Sequence, residues 1–199
     1  MLKVSPNPKL WIIKTKIKDK ISDVLNLKDN VNAYVTITVK DKDGKIVSQT
    51  KFKSHSFVYN GLLGLLYLLT GNNQTVTMTS GGTTSAGYLP LSQILMGTGT
   101  KTPSITDYNL TSPISNGTGS GQLSYESFQI SSPATSGDTG YFTITQQAIN
   151  NSGSPITVTE VGLYDGGINT LATHDLLPSA QTVPANGAIT VTYTISVTT

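Results

Sequence analysis

Chemistry in a protein chain needs nucleophiles, proton carriers or metal ligands at workable spacing, and this sequence is sparing with all of them. It has no cysteine, which excludes thiol nucleophiles, thiolate metal sites and disulfides. Its two histidines, His55 and His174, stand without a second ligand nearby in sequence, so a zinc site has no support. Each is expected to be a capped or surface imidazole. Gly97-Thr-Gly-Thr100 has the outline of a phosphate loop but lacks the Gly-Lys-Ser/Thr ending, and Pro103 follows where a helix would open. Asp41-Lys-Asp-Gly44 sets two carboxylates at alternate positions, as calcium loops do, yet the distal glutamate is missing and a plain turn is expected.

The remaining acids offer no better grouping. Glu126, Asp138, Glu160, Asp165 and Asp175 fall on separate predicted strands and turns, and nothing selects two of them as a glycosidase pair. Glu160 lies inside an apolar strand. Thr157 and Thr159 flank it while Val158, Val161 and Leu163 supply packing, so its side chain is expected to face solvent. No catalytic, cofactor-binding or metal-binding residue is nominated, no cofactor is expected, and the chain does not read as an enzyme. Asn73, Asn109, Asn116 and Asn150 each open an Asn-x-Ser/Thr pattern, but a chain this rich in Ser and Thr produces about that many by chance.

Charge is the other source of function. The net charge is only +2, but it is unevenly placed. Residues 1–60 hold 12 of the 13 basic residues against five acids, and residues 61–199 hold one lysine against six acids. Every basic residue is lysine, which disfavours specific base readout, because arginine is the usual guanine reader. Lys14, Lys16, Lys18 and Lys20 share one parity of an extended segment and are the candidate contacts to nucleic acid or to a neighbouring acidic subunit. A lysine-bearing edge strand protected against pairing fits the same pattern.

Several elements must position these residues. Residues 1–30 read as an extended basic arm or edge strand, and residues 31–199 as one domain. Residues 33–40 and 45–53 flank the Asp41–Gly44 turn as a hairpin whose Val35, Ile37 and Val39 form an apolar face. Residues 56–70 carry Phe57, Val58, Leu62, Leu65, Leu66 and Leu69 at helical spacing. They predict one helix, apolar nearly all round and therefore buried in the core or against a partner. Short strands follow at 75–79 and 91–96, then an irregular stretch over 101–119. Strands are predicted near 122–131, 140–150, 155–164, 170–176 and 188–197. The charged fraction is 12%, about half the usual one, and 21 Ser with 30 Thr fill much of the gap. The composition favours strands and tight turns. The expected fold class is mainly β: an antiparallel β-sandwich or jelly-roll-like body with one buried helix near residues 56–70. The longest apolar run, 62–69, is far short of the roughly 20 residues that a membrane span needs. The first residues lack a signal-peptide pattern, so an ordinary secretory precursor is not expected.

Four stretches in this order carry a resemblance: the apolar run 56–69, Gly97-Thr-Gly-Thr-Lys-Thr-Pro-Ser-Ile-Thr-Asp-Tyr-Asn-Leu110, Val158-Thr-Glu-Val-Gly-Leu-Tyr164, and Val183-Pro-Ala-Asn-Gly-Ala-Ile189 leading into the last strand. Together they resemble small β-rich structural proteins of double-stranded DNA viruses, both tailed phages and viruses of thermophilic archaea. The resemblance spans roughly residues 54–197 and leaves the basic first 50 outside. It implies a virion component (capsid, turret, adaptor, tail or fibre) made in the host cytoplasm. Such a part would assemble with copies of itself and with other virion proteins, with non-specific DNA contact through the basic segment. The alternative from the residues is a receptor- or glycan-binding module on a virus or cell surface, built around exposed tyrosines.

Overall fold

The computed structural model describes residues 31–54, 57–58, 61–62, 75–77, 84–86, 91–165 and 170–198. The arm at 1–30, with Lys14, Lys16, Lys18 and Lys20, lies outside these residues, as does His55. The chain is mainly β, in antiparallel sheets.

The large sheet grows from the predicted hairpin. β1 (Val31–Lys40) and β2 (Ile46–Lys53) pair antiparallel. Asp41 closes their turn by accepting, through Oδ1, the N–H groups of Asp43 and Lys45 at 3.0 Å each. Gly44 takes the left-handed conformation there, with φ 80°. Asp41 thus shapes the turn, while the Asp43 carboxylate accepts the Lys42 ammonium at 2.9 Å. β13 (Ala188–Thr198) lies beside β1, and β9 (Thr139–Ile149) beside β13. Three short pieces, β6 (Ser124–Tyr125), β7 (Gln129–Ile130) and β8 (Ala134–Ser136), line the far side of β9. The predicted strand at 122–131 is broken into the first two of these pieces.

Strand alternation explains both faces of this sheet. Val35, Ile37, Val39, Ile189, Val191, Tyr193, Ile144 and Ala148 are buried on the inner face. On the outer face, threonines meet across strands: Thr145 with Thr192 at 3.1 Å, Gln147 with Thr190 at 3.2 Å, and Thr139 with Thr198 at 2.9 Å. The Ser/Thr-rich composition is thereby accounted for: β-branched side chains suit the pleat, and paired hydroxyls satisfy one another.

The second sheet has β10 (Ile156–Asp165) at its centre. β5 (Leu91–Gly97) lies on one side, with β11 (Thr170–Leu171) and β12 (Asp175–Val183) also paired to β10. β3 (Thr75–Thr77) and β4 (Thr84–Ala86) form a separate two-stranded sheet. One apolar cluster contains side chains from both larger sheets. Val35, Val191 and Ile144 come from the first, and Ile94, Met96, Val161 and Leu163 from the second. The strand predicted at 170–176 ends instead after Leu171, and β12 runs on to Val183 through Pro178. Pro178 fits because the pairing of β12 with β10 is interrupted between Val158 and Glu160, so no ladder hydrogen bond is asked of it.

The helix predicted at 56–70 is not seen among the described residues. Most of that stretch, including 63–70, lies outside the described residues; within it Gly61 and Leu62 are helical, Phe57 makes an antiparallel bridge to Thr173, and the Val58 carbonyl accepts the Leu62 N–H at 3.1 Å. Gly61 sits where a Cβ would run into the Ala172 carbonyl, so only glycine permits that close approach. No helix among the described residues is long and apolar enough to cross a membrane.

One polar side chain stitches the loops at the end of the core. Asn150 is fully buried and donates through Nδ2 to the carbonyls of Ser154, Val183 and Pro184 at 2.8, 3.0 and 3.1 Å. Asn150→Ala strands these acceptors and is expected to lower stability by about 1–3 kcal/mol in urea denaturation. A change below about 0.3 kcal/mol would show that water replaces the amide at no cost.

Candidate functional site: a buried Asp–His–Glu cluster

β10 changes its inward parity at the interruption after Val158. Ile156 and Val158 face the shared core before it, and Val161 and Leu163 after it. Glu160, Gly162 and Tyr164 are thus turned to the opposite face. That face is not open to solvent: Glu160 has 0% and Tyr164 1% of its surface exposed. The expectation that Glu160 faces solvent therefore fails. It points away from the core as the pattern indicated, but the loop 98–112 covers it.

The loop leaves β5 at Gly97 and returns beside it. Thr98 N–H donates to the Ser112 carbonyl at 2.9 Å, and Ile114 N–H to the Met96 carbonyl at 2.8 Å. The Glu160 carboxylate fills the loop from within. Oε1 accepts the N–H groups of Gly99 at 3.1 Å and Ser112 at 2.8 Å, and Oε2 accepts that of Thr111 at 3.1 Å. Gly97 and Gly99 leave the space it needs, since a Cβ on either would collide with the carboxylate. Below Glu160, the Tyr164 hydroxyl accepts the Leu110 N–H at 2.7 Å, and Tyr164, Leu110, Leu171 and Val58 form a second apolar cluster. Burial pushes the Tyr164 phenol up to about 12.

His174 completes the arrangement. It was expected at the surface or as a cap, but it is 0% exposed, between β11 and β12. Its Nδ1 lies 2.7 Å from Asp107 Oδ2 and its Nε2 2.9 Å from Glu160 Oε2. Asp107 also accepts the Ser104 N–H at 2.8 Å and the Lys101 ammonium at 2.8 Å. Two carboxylates facing two ring nitrogens require both nitrogens to carry protons, so the ring is an imidazolium. Burial pulls the His174 pKa down, but the bonds to Glu160 and Asp107 outweigh it and raise it overall. Burial likewise pushes both carboxyls up. For Glu160, His174 and three backbone N–H groups reverse that and hold it below the usual range. For Asp107, Lys101, Ser104 and His174 do the same.

Chemically, the cluster is a cross-link. Both ring nitrogens are committed to carboxylates, so neither is open to a substrate, and Glu160 is saturated by four donors. Among the described residues, no three His, Asp or Glu side chains converge on a metal position. A separate buried set ties β12 to the large sheet: Asp175 Oδ2 accepts the hydroxyls of Ser54 at 2.9 Å and Tyr193 at 3.0 Å.

Sequence reasoning singled out the stretches holding Asp107 and Glu160 without seeing that they meet. The signal it passed over was the glycine pair 97 and 99 opposite an acid in an apolar strand, together with a histidine flanked by Ala172 and Leu177. Compared with known protein families, curated proteins and solved structures, the chain matches none.

Proposed function

We propose that this chain is a virion structural protein, a capsid, turret, adaptor or tail component, whose β-sandwich or jelly-roll-like body acts by homo-oligomeric assembly. The observation that carries this reading is where the resemblance lies in space. The stretch 97–110 and the stretch 158–164 are the two halves of one buried cross-link, joined through His174. Their glycines, acids and aromatic residue serve packing, as suits a building block, and do not converge on an open reactive centre. Exposed apolar side chains at the sheet margins, among them Ile46, Val47 and Ile130, offer surface for neighbours. The partners are copies of the chain and other virion proteins, with DNA contact through Lys14, Lys16, Lys18 and Lys20 as a further role of the basic segment.

Size-exclusion chromatography with light scattering is expected to give a closed oligomer or a concentration-dependent series at low salt. A monomer at every concentration and ionic strength would overturn the reading. A second reading, a glycan- or receptor-binding module, is favoured by Tyr108. It is 51% exposed on the loop that Asp107 and Glu160 anchor, in a stretch that also holds Ser104, Thr106 and Asn109. Binding on a glycan array that Tyr108→Ala abolishes would select it.

A further inference from the structure

The large sheet ends in two unlike edges. Among the described residues β2 pairs only with β1 and so forms one edge of the described sheet. Around it stand Lys40, Lys42, Lys45, Lys51 and Lys53 against only Asp41 and Asp43. Ile46 and Val47 are each 52% exposed at its turn end. The opposite edge, formed by β6, β7 and β8, carries exposed Glu126 and Asp138 and the half-exposed Ile130. No lysine or arginine occurs in the chain after Lys101.

We propose that copies of this chain join head to tail through these edges, the lysine-bearing β2 edge of one against the acidic 124–138 edge of the next. The inference rests on the assembly reading above and specifies its contact. Like-to-like pairing of two β2 edges would oppose lysines to lysines, which is destabilising across a sheet. The unlike pairing brings lysines to Glu126 and covers exposed apolar residues of both edges. Register supports it. One outward row runs Lys51, Thr36, Thr192, Thr145, Gln129 across the sheet. The adjacent outward row runs Gln49, Thr38, Thr190, Gln147 and ends at Glu126, whose N–H bonds to the Gln147 carbonyl. Unstaggered abutment of two copies therefore sets Glu126 one row from Lys51, within diagonal reach of so long a side chain. A contact between unlike surfaces closes into a ring if its rotation closes and otherwise extends as a filament.

The test uses the full chain and two charge-reversed forms, Lys51→Glu/Lys53→Glu and Glu126→Lys, read by light scattering at low salt. Each form alone is expected to associate at least tenfold more weakly than the wild type. An equimolar mixture is expected to recover assembly, because each junction then pairs opposite charges again. That recovery also shows that both forms are folded. Wild-type assembly left unchanged by both reversals, or no recovery on mixing, would overturn the edge contact and leave the assembly reading standing. A wild type that never assembles would overturn both.

Discussion

His174→Ala is expected to cost about 3–5 kcal/mol of folding stability, the range for removing one partner from a buried, hydrogen-bonded charge set. The loss arises from what remains. Asp107 and Glu160 would be left ionised under the loop with no proton between them, although Glu160 would keep three backbone donors and Asp107 would keep Lys101. His174→Gln supplies one neutral donor and should lose less. The pH dependence separates this role from simple packing. A histidine whose folded pKa is raised stabilises fully below its unfolded value, about 6.5, and that stability is lost as pH climbs through the folded value. Carboxyls whose folded pKa is lowered stabilise fully above their unfolded values, about 4, and lose that as pH falls through the folded ones. Wild-type stability should therefore be greatest between roughly pH 4.5 and 6.5 and fall on both sides. In His174→Gln the alkaline decline should vanish while the acid decline remains. Urea midpoints measured from pH 3 to 9 decide it, and a wild-type profile flat from pH 5 to 9 would refute an imidazolium at this position.

Gly97→Ala is the second large effect, expected at about 3 kcal/mol, the upper part of the range for overpacking. Its Cβ would collide with the Glu160 carboxylate and come within 2.8 Å of the Ser112 carbonyl. Neither can retreat. Glu160 is held by the loop's N–H groups and by His174, and the Ser112 carbonyl accepts the Thr98 N–H. The strain and the cross-link are thus one problem, so the effects of Gly97→Ala and Glu160→Ala should be strongly non-additive, the glycine change costing less once the carboxylate is gone. Gly140→Ala is the control, since a Cβ there meets nothing within 4 Å and should shift stability by less than about 0.5 kcal/mol. Equal costs at positions 97 and 140 would show that the loop yields freely to a methyl group.

Elements whose periodicity is local were legible in the chain. β1, β9, β10 and β13 follow from alternation, and the β1–β2 hairpin follows from Asp41 and Gly44 between two alternating runs. The pieces β6, β7 and β8 are two or three residues long, too short for a period to register, and exist because β9 offers an edge. β12 was obscured by Pro178, which only the interrupted pairing with β10 accommodates. In the apolar run after Ser54 the described residues make contacts that spacing does not announce: Phe57 bridges Thr173 and Gly61 lies against Ala172. In such a run spacing alone does not tell which partner each side chain meets.

The sequence by itself determined an antiparallel, threonine-faced β protein without thiol chemistry, basic toward one end and acidic through the rest. Alternation, turn residues and charge are properties of neighbours along the chain. Only the tertiary structure decided that Glu160 is buried, that His174 is charged, and that Asp107 reaches it across 67 positions of sequence. A side chain's solvent exposure and ionisation depend on what folds over it, and here that cover is a loop whose own course is fixed by the carboxylate it hides.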